Sequence, residues 1–317
     1  MKILVTGGAG YVGSHLVPRL EEQGHEVHVF DRLRLSRPRY IRGDICDYGC
    51  LEAAFDAVRP ELVFHLAGMV SRRECEETPT LAIQTNAEGT LNVCALSLKH
   101  GSRVIYAGSS EEYGTRFSET FYNYGEKHRP VGEDTPFGEP TSVYALTKRM
   151  AEEIVQHFAA FRGLTATTMR LFMLYGPGEE PSDYRSAVAR FTDWALRGLP
   201  LTVHRGTERS WCYIDDAVEA MTLIAERRQP TPYEAFNIGR EDPTPTETLA
   251  EKIVEACGSS SEIVLTEPEA TVIPVKRASF RKAKTLLGWE ATTPLDEGLR
   301  ETVEWMRRNL RGSSAPP

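Results

Sequence analysis

Tyr144 and Lys148 stand four positions apart in Tyr144-Ala145-Leu146-Thr147-Lys148, a spacing that puts a phenol and an ammonium on one face of a helix. A cation beside a phenol stabilises the phenolate, so such a tyrosine serves as a general base nearer neutral pH than its ordinary value of about 10 allows. Alone, the pair fits a packing tyrosine and a solvated lysine equally well. What sets it apart is the upstream run Ser109-Ser110-Glu111-Glu112-Tyr113-Gly114, which ends a strand pattern where ligands of open α/β sheets sit. Ser109 and Ser110 there offer short hydroxyls to a substrate hydroxyl.

A third motif opens the chain. Thr6-Gly7-Gly8-Ala9-Gly10-Tyr11-Val12-Gly13 follows a strand pattern and begins a helix pattern, which turns backbone N–H groups, those of Tyr11 and Val12 among them, toward a pyrophosphate. Gly7 permits the tight turn, Gly10 lets the backbone approach the phosphates, and Gly13 permits close helix–strand packing. Asp31 ends the second strand pattern about 20 residues on, where a carboxylate holds an adenosine ribose and repels a 2′-phosphate. The expected cofactor is NAD; Arg32 and Arg34 beside Asp31 are the argument for NADP. Asp44 and Ile45 suit the adenine edge, although an aspartate here also fits a simple turn.

These groups need a scaffold, and the first half of the chain supplies one by alternating short β-rich runs with helical patterns. Strands are expected at residues 2–5, 26–30, 62–66, 103–107 and 167–172, with helices at 12–23, 51–58, 81–100 and 147–162. In the last of these Ala151, Ile154, Val155, Phe158 and Ala159 form one apolar stripe, and Gly163 marks its stop. After residue 172 the rhythm changes to loops punctuated by Pro and Gly. The expected fold is α/β, a Rossmann-type doubly wound parallel sheet with a smaller C-terminal substrate-binding lobe. Residues 1–172, with a return segment near 212–240, form the NAD-binding part; 173–211 and 241–317 form the lobe.

The bulk numbers narrow the function. Of 317 residues, 41% are hydrophobic and 26% charged, ordinary globular usage, and a net charge of −8 argues against a nucleic-acid partner. No apolar run reaches the roughly 18 residues of a membrane span, and no export signal opens the chain, so a cytoplasmic protein without a membrane partner is expected. The six cysteines form no CxxC pair and the eight histidines show no ligand spacing, so reduced thiols and no metal are expected.

With the Ser109 motif and the Tyr144–Lys148 pair in place, the chain resembles the extended short-chain dehydrogenase/reductase family, in particular its nucleotide-sugar epimerases, dehydratases and decarboxylases. The resemblance runs nearly end to end and also rests on His65-Leu66-Ala67, Asn86 in a TNAEGTLNV segment, Tyr175-Gly176-Pro177, Arg209 through Asp216, and Gly288-Trp289. It implies an NAD-dependent enzyme acting through a 4-keto sugar. Tyr144 takes the C4 hydroxyl proton, Ser109 hydrogen-bonds the reacting oxygen, and Lys148 lowers the tyrosine pKa and holds the nicotinamide ribose. Leu66 and Ala67 join the cofactor site. Arg209 and Arg277 then bind the pyrophosphate of a UDP, TDP or GDP sugar; a surface ion pair is the competing account.

The net reaction stays open. A 4-epimerase needs only Ser109, Tyr144 and room for rotation, whereas Glu111 after Ser110 resembles the hydroxyl-then-Glu pair of the decarboxylases and some dehydratases. Arg185, with the 182–191 segment, and Lys276 through Ser279 resemble the UDP-glucuronate decarboxylases. Arg72, Arg73 and Arg185 suit a sugar carboxylate or solvated surface charge. Glu112 gives an EEYG run that also resembles the 4-keto-6-deoxysugar reductases. Departures from the family are Met173, where an Asn commonly contacts the sugar nucleotide, a charged loop at 71–77, and a long insert at 115–138 whose Tyr122, Tyr124, Lys127, His128 and Arg129 suit a lid. A homodimer through helices 81–100 and 147–162 is expected. The reading from another class is a non-catalytic NAD-sensing protein.

Overall fold

The computed structural model describes residues 1–118, 130–182, 185–228 and 231–312. The tyrosines, Lys127, His128 and Arg129 singled out in the insert lie outside the described residues.

Seven parallel strands form the central sheet: β1 (Lys2–Thr6), β2 (Glu26–Asp31), β3 (Tyr40–Arg42), β4 (Leu62–His65), β5 (Arg103–Ser109), β6 (Ala166–Leu171) and β11 (Tyr233–Ile238), in the order β11-β6-β5-β4-β1-β2-β3. All five expected strands are present, with boundary shifts of one or two residues, and the return segment rejoins the sheet as β11 against β6. The strands are apolar on both faces, as a sheet covered on both sides requires. In β1, Ile3 and Val5 pack to one side with Leu16, Val17 and Leu20 of α1 (Tyr11–Glu22). Leu4 packs to the other with Leu51 and Phe55 of α2 (Tyr48–Val58).

Strand order reverses between β1 and β4. Loops leaving the two strands diverge there and open a cleft at their carboxyl ends.

The single helix expected over 81–100 is interrupted. Helix α3 (Arg72–Glu77) leads to α4 (Pro79–Ile83), a π-helical turn spans Gln84–Glu88, and α5 (Gly89–His100) follows. The turn carries Asn86, whose amide donates to the Met69 carbonyl (3.0 Å) and the Thr147 hydroxyl (2.9 Å) and whose oxygen accepts the Met69 N–H (2.7 Å). A buried amide serving loop and helix together is the kind of demand that a π-turn meets. Helix α6 (Val143–Arg162) starts four residues earlier than its apolar stripe indicates, because the Ser142 hydroxyl accepts the Ala145 N–H and caps it. Both Tyr144 and Lys148 thereby sit in its first two turns.

Beyond the sheet, β7 (Leu174–Tyr175) pairs with β10 (Cys212–Tyr213), and α8 (Ile214–Glu226) packs on α1. Helix α7 (Ala187–Leu196) and α9 (Thr246–Cys257) cover the small parallel pair β8 (Leu201–His204) and β13 (Ile263–Thr266). Strand β9 (Glu208–Ser210) runs antiparallel to β12 (Pro243–Pro245). Helices α10 (Arg281–Leu287) and α11 (Leu295–Gly312) complete the chain.

Candidate active site

At the reversal point lies a cavity of about 690 Å³, lined at one end by Gly7, Gly10, Tyr11, Val12, Asp31, Arg32, Asp44, Ile45, Leu66 and Ala67. Gly7 has φ +74°, and a Cβ there would stand 2.5 Å from the Ala67 nitrogen. A side chain is therefore excluded where the loops after β1 and β4 meet. Gly10 caps α1 with no side-chain hydrogen bond, so the first N–H groups of the helix remain available to an anion. The Asp31 carboxylate, 8% exposed, accepts the Ala9 N–H through Oδ2 and the Leu33 N–H through Oδ1, both at 3.0 Å. It ties the glycine loop to the end of β2. This cradle fits a dinucleotide: pyrophosphate against the glycines, ribose at Asp31. Asp31→Ala is expected to weaken NAD binding roughly 10–100-fold, the worth of one charge-assisted hydrogen bond, measured by titration calorimetry; an unchanged affinity would remove Asp31 from this role.

Ser109, Glu111, Tyr144 and Lys148 line the other end, with Met173 and Arg185. Ser109 is at once the last residue of β5 and the N-cap of a 3-10 turn, Ser110–Tyr113. Its hydroxyl accepts the Glu111 N–H (3.2 Å) and lies near enough to the Tyr144 phenol to favour its ionised form. The Lys148 ammonium, 4% exposed, donates to the Ala107 carbonyl at 2.8 Å and lies 5.0 Å from the Tyr106 ring centre. Burial draws its pKa down.

Burial, together with Glu111, Glu112 and the Cys75 thiol, holds the Tyr144 phenol above its ordinary pKa, and the hydrogen bond from Ser109 only moderates this. Lys148 gives its ammonium to the Ala107 carbonyl, and burial and the neighbouring acids outweigh any pull of that cation on the phenol. Tyr144 rests as a neutral phenol.

Glu111 sits among cations. Lys276 forms a buried ion pair with its Oε1, and Arg209 and Arg72 act on it through space. Burial alone would raise the Glu111 pKa; the three cations bring it below the usual carboxylate range. Lys276 is itself lowered to about 8 by burial, with Arg209 and Arg72 repelling its charge against the pull of Glu111. Arg72 lines the cavity and donates to the carbonyls of Thr141 (3.2 Å) and Thr271 (3.0 Å).

Three expected residues lie off the cavity wall. Ser110 is fully buried, its hydroxyl without a partner among the described residues. Arg209 spends its guanidinium on the carbonyls of Glu208, Pro274 and Ile273. Arg277 pairs with Glu208 at 3.1 Å, the ion pair that competed with a phosphate role in the sequence. Met173 has φ +32°, a left-handed conformation rare for a side chain of its size. Sequence reasoning missed Glu179, which lines the cavity and accepts the Ser186 N–H (3.0 Å) and hydroxyl (2.5 Å), and it flagged Lys276 only as part of a basic segment.

Residues 3–239 match the model of the NAD dependent epimerase/dehydratase family. The chain belongs to that family. It is an NAD-dependent enzyme of this class, and NAD is its cofactor. Among its relatives, UDP-glucuronic acid decarboxylase 1 of Xenopus tropicalis is 33% identical over 98% of this chain and 73% of the relative. The UDP-N-acetyl-alpha-D-glucosaminuronate decarboxylase of Bacillus cytotoxicus is 30% identical over 96% of this chain and 98% of the relative. The crystal structure of the UDP-glucose 4-epimerase of Thermotoga maritima with UDP-glucose superposes with a TM-score of 0.86 at 34% identity, covering 98% of this chain and 100% of that one. The family enzyme thus has relatives of two net reactions on one architecture.

Proposed function

We propose that this enzyme acts on a UDP-linked hexuronate, oxidising C4 and releasing the C6 carboxylate as CO₂. The observation that carries this reading is the cluster at Glu111: three cations, Arg72, Arg209 and Lys276, stand against one carboxylate beside the Ser109–Tyr144 pair. Such an excess of positive charge favours an anionic sugar over a neutral one. Relatives named for decarboxylating uronates support it.

NAD supplies the acceptor, and later the donor, of the C4 hydride. Tyr144, once it has released its own proton to solvent, takes the C4 hydroxyl proton as a phenolate, and Ser109 holds that oxygen by hydrogen bonding. The resulting ketone is β to the carboxylate, so the C5–C6 electron pair can pass toward O4 as CO₂ leaves, with the Ser109 and Tyr144 hydroxyls stabilising the charge there. C5 then needs a proton. The Glu111–Lys276 pair holds an exchangeable one, with Glu111 at the cavity wall and its Oε2 without a hydrogen-bond partner among the described residues. On reduction of the ketone Tyr144 gives its proton back to O4, which restores the C4 hydroxyl.

In this reading residues 1–172 with 212–240 hold NAD, while 173–211 and 241–317 hold the sugar nucleotide. The enzyme works as a homodimer through α5 and α6, whose Leu91, Leu146 and Phe161 are exposed, and it resides in the cytoplasm, consistent with six free cysteines. Among the described residues no helix is long and apolar enough to cross a membrane.

The second reading, 4-epimerisation, draws on the likeness to the Thermotoga maritima structure and needs no proton at C5. Incubation with NAD and UDP-glucuronate, UDP-glucose or UDP-N-acetylglucosamine, followed by mass and NMR analysis, separates the two. A UDP-pentose with loss of CO₂ is expected from UDP-glucuronate. Unchanged mass with inverted C4 means epimerase, and no turnover of any of the three rejects both.

A further inference from the structure

Beneath the catalytic turn lies a second carboxylate that the chemistry above does not use. Glu112 is completely buried, and its Oε1 accepts the Ser109 backbone N–H at 2.6 Å, closing a capping box around the residue that faces Tyr144. Glycine at position 108 makes room for it: a Cβ there would stand 2.9 Å from Glu112 Oε1 and 2.7 Å from Thr168 Cγ2.

The neighbours of Glu112 decide its protonation. From α6 comes Glu152, fully buried, whose Oε1 accepts from Arg170 Nη2 (2.6 Å), the Tyr233 hydroxyl (2.7 Å) and Gln156 (3.0 Å) and whose Oε2 accepts from Arg170 Nε (3.1 Å). From β6 comes Arg170, whose remaining Nη1 goes to the Tyr113 hydroxyl (2.7 Å) and the Glu133 carbonyl (3.1 Å). Lys148, also on α6, gives its ammonium to Ala107. Tyr106 of β5 and Tyr144 of α6 complete the titratable surroundings. Every cation is committed elsewhere, Glu152 keeps its charge among the donors of Arg170, Tyr233 and Gln156, and Glu112 Oε2 meets no donor among the described residues. Two adjoining carboxylates cannot both stay ionised on one guanidinium, and the one without donors is the one to carry the proton.

We propose that Glu112 is a positioning residue: a neutral carboxylic acid that donates its proton to Glu152 and, by accepting the Ser109 N–H, fixes the hydroxyl that orients Tyr144. Burial, followed by the repulsion and hydrogen bonding of Glu152, raises the Glu112 pKa well above the ordinary range, in the same direction.

Glu112→Gln and Glu112→Leu test this with UDP-glucuronate and NAD, and with infrared spectroscopy of the resting enzyme. The amide of E112Q accepts the Ser109 N–H and donates to Glu152, so it should keep kcat within about threefold of wild type. E112L should lose about 10–100-fold in kcat with KM little changed, the cost of a slightly misplaced catalytic group. The wild type minus E112Q infrared difference at neutral pH should contain the C=O stretch of a protonated carboxylic acid. Wild-type kcat in E112L, a loss in KM alone, equal damage in E112Q and E112L, or no acid C=O band would each overturn the proposal. Should E112L fail to fold, E112Q kinetics and the infrared band decide. The kinetic arm rests on the proposed turnover of UDP-glucuronate; if the wild type turns over no nucleotide sugar, that reading fails while the infrared band still decides the state of Glu112.

Discussion

Tyr144→Phe is expected to lower kcat on UDP-glucuronate about 10²–10⁴-fold, the usual worth of a positioned acid–base group, while leaving NAD affinity within about threefold. The substitution removes one oxygen and keeps the ring, which packs beside Met69, Cys75 and Ala82. The fold should lose little more than the polar interaction of that oxygen with Ser109, at most about 1 kcal/mol. A fall in kcat without a fall in melting temperature therefore reports on chemistry. Because the phenol rests neutral, it must first release its proton to solvent; as phenolate it takes the proton from C4 when the sugar is oxidised and returns it when the ketone is reduced. Steady-state product formation and calorimetric NAD binding check the two halves. Undiminished turnover of the variant would refute the role given to Tyr144, whatever the rest of the site does.

Lys276→Met should have the next largest effect, on both stability and substrate choice. Lys276 is 5% exposed and pairs with a mostly covered Glu111, so its truncation strands a carboxylate. Breaking a buried pair from one side costs about 3–5 kcal/mol, and the low end applies here because Arg209 and Arg72 remain. Affinity for UDP-glucuronate should fall at least tenfold while that for UDP-glucose holds. The lysine pKa of about 8 adds a pH signature. As pH rises through that value the cation is lost, so UDP-glucuronate binding to the inactive Tyr144→Phe protein should weaken while UDP-glucose binding stays flat. Lys276→Arg, which stays charged throughout, should abolish the difference. Folding responds in the opposite sense: the unfolded lysine, with a pKa near 10.4, holds its proton longer, so this group's contribution to stability grows between about pH 8 and 10 and is lost as pH falls through 8. Equal pH dependence for both sugars would remove Lys276 from substrate recognition.

Much of the site was legible because its parts are local. The glycine turn, Asp31, the hydroxyl–Glu run and the Tyr-x-x-x-Lys pair each announce themselves within a few residues, since turns, caps and helix faces are set by near neighbours. The strand boundaries at Ser109 and Leu66 moved by one or two residues, and the interruption at Asn86 escaped altogether. A π-turn is imposed by what a buried amide must reach, here Met69 and Thr147, and not by apolar periodicity. The contacts of Arg209 and Arg277 stayed hidden for a related reason: a sequence shows a charge but not the carbonyls or carboxylates that already hold it.

By itself the sequence determined the doubly wound sheet, the dinucleotide cradle, and the phenol, ammonium and hydroxyl that converge on the cavity. Only the tertiary structure decided how those groups are charged. Glu111 meets Lys276 across 165 residues of chain, and Glu112, Glu152 and Arg170 come from three different elements. Ionisation inside a protein depends on burial and on which opposite charge lies within a few ångströms, and neither is a property of position along the chain.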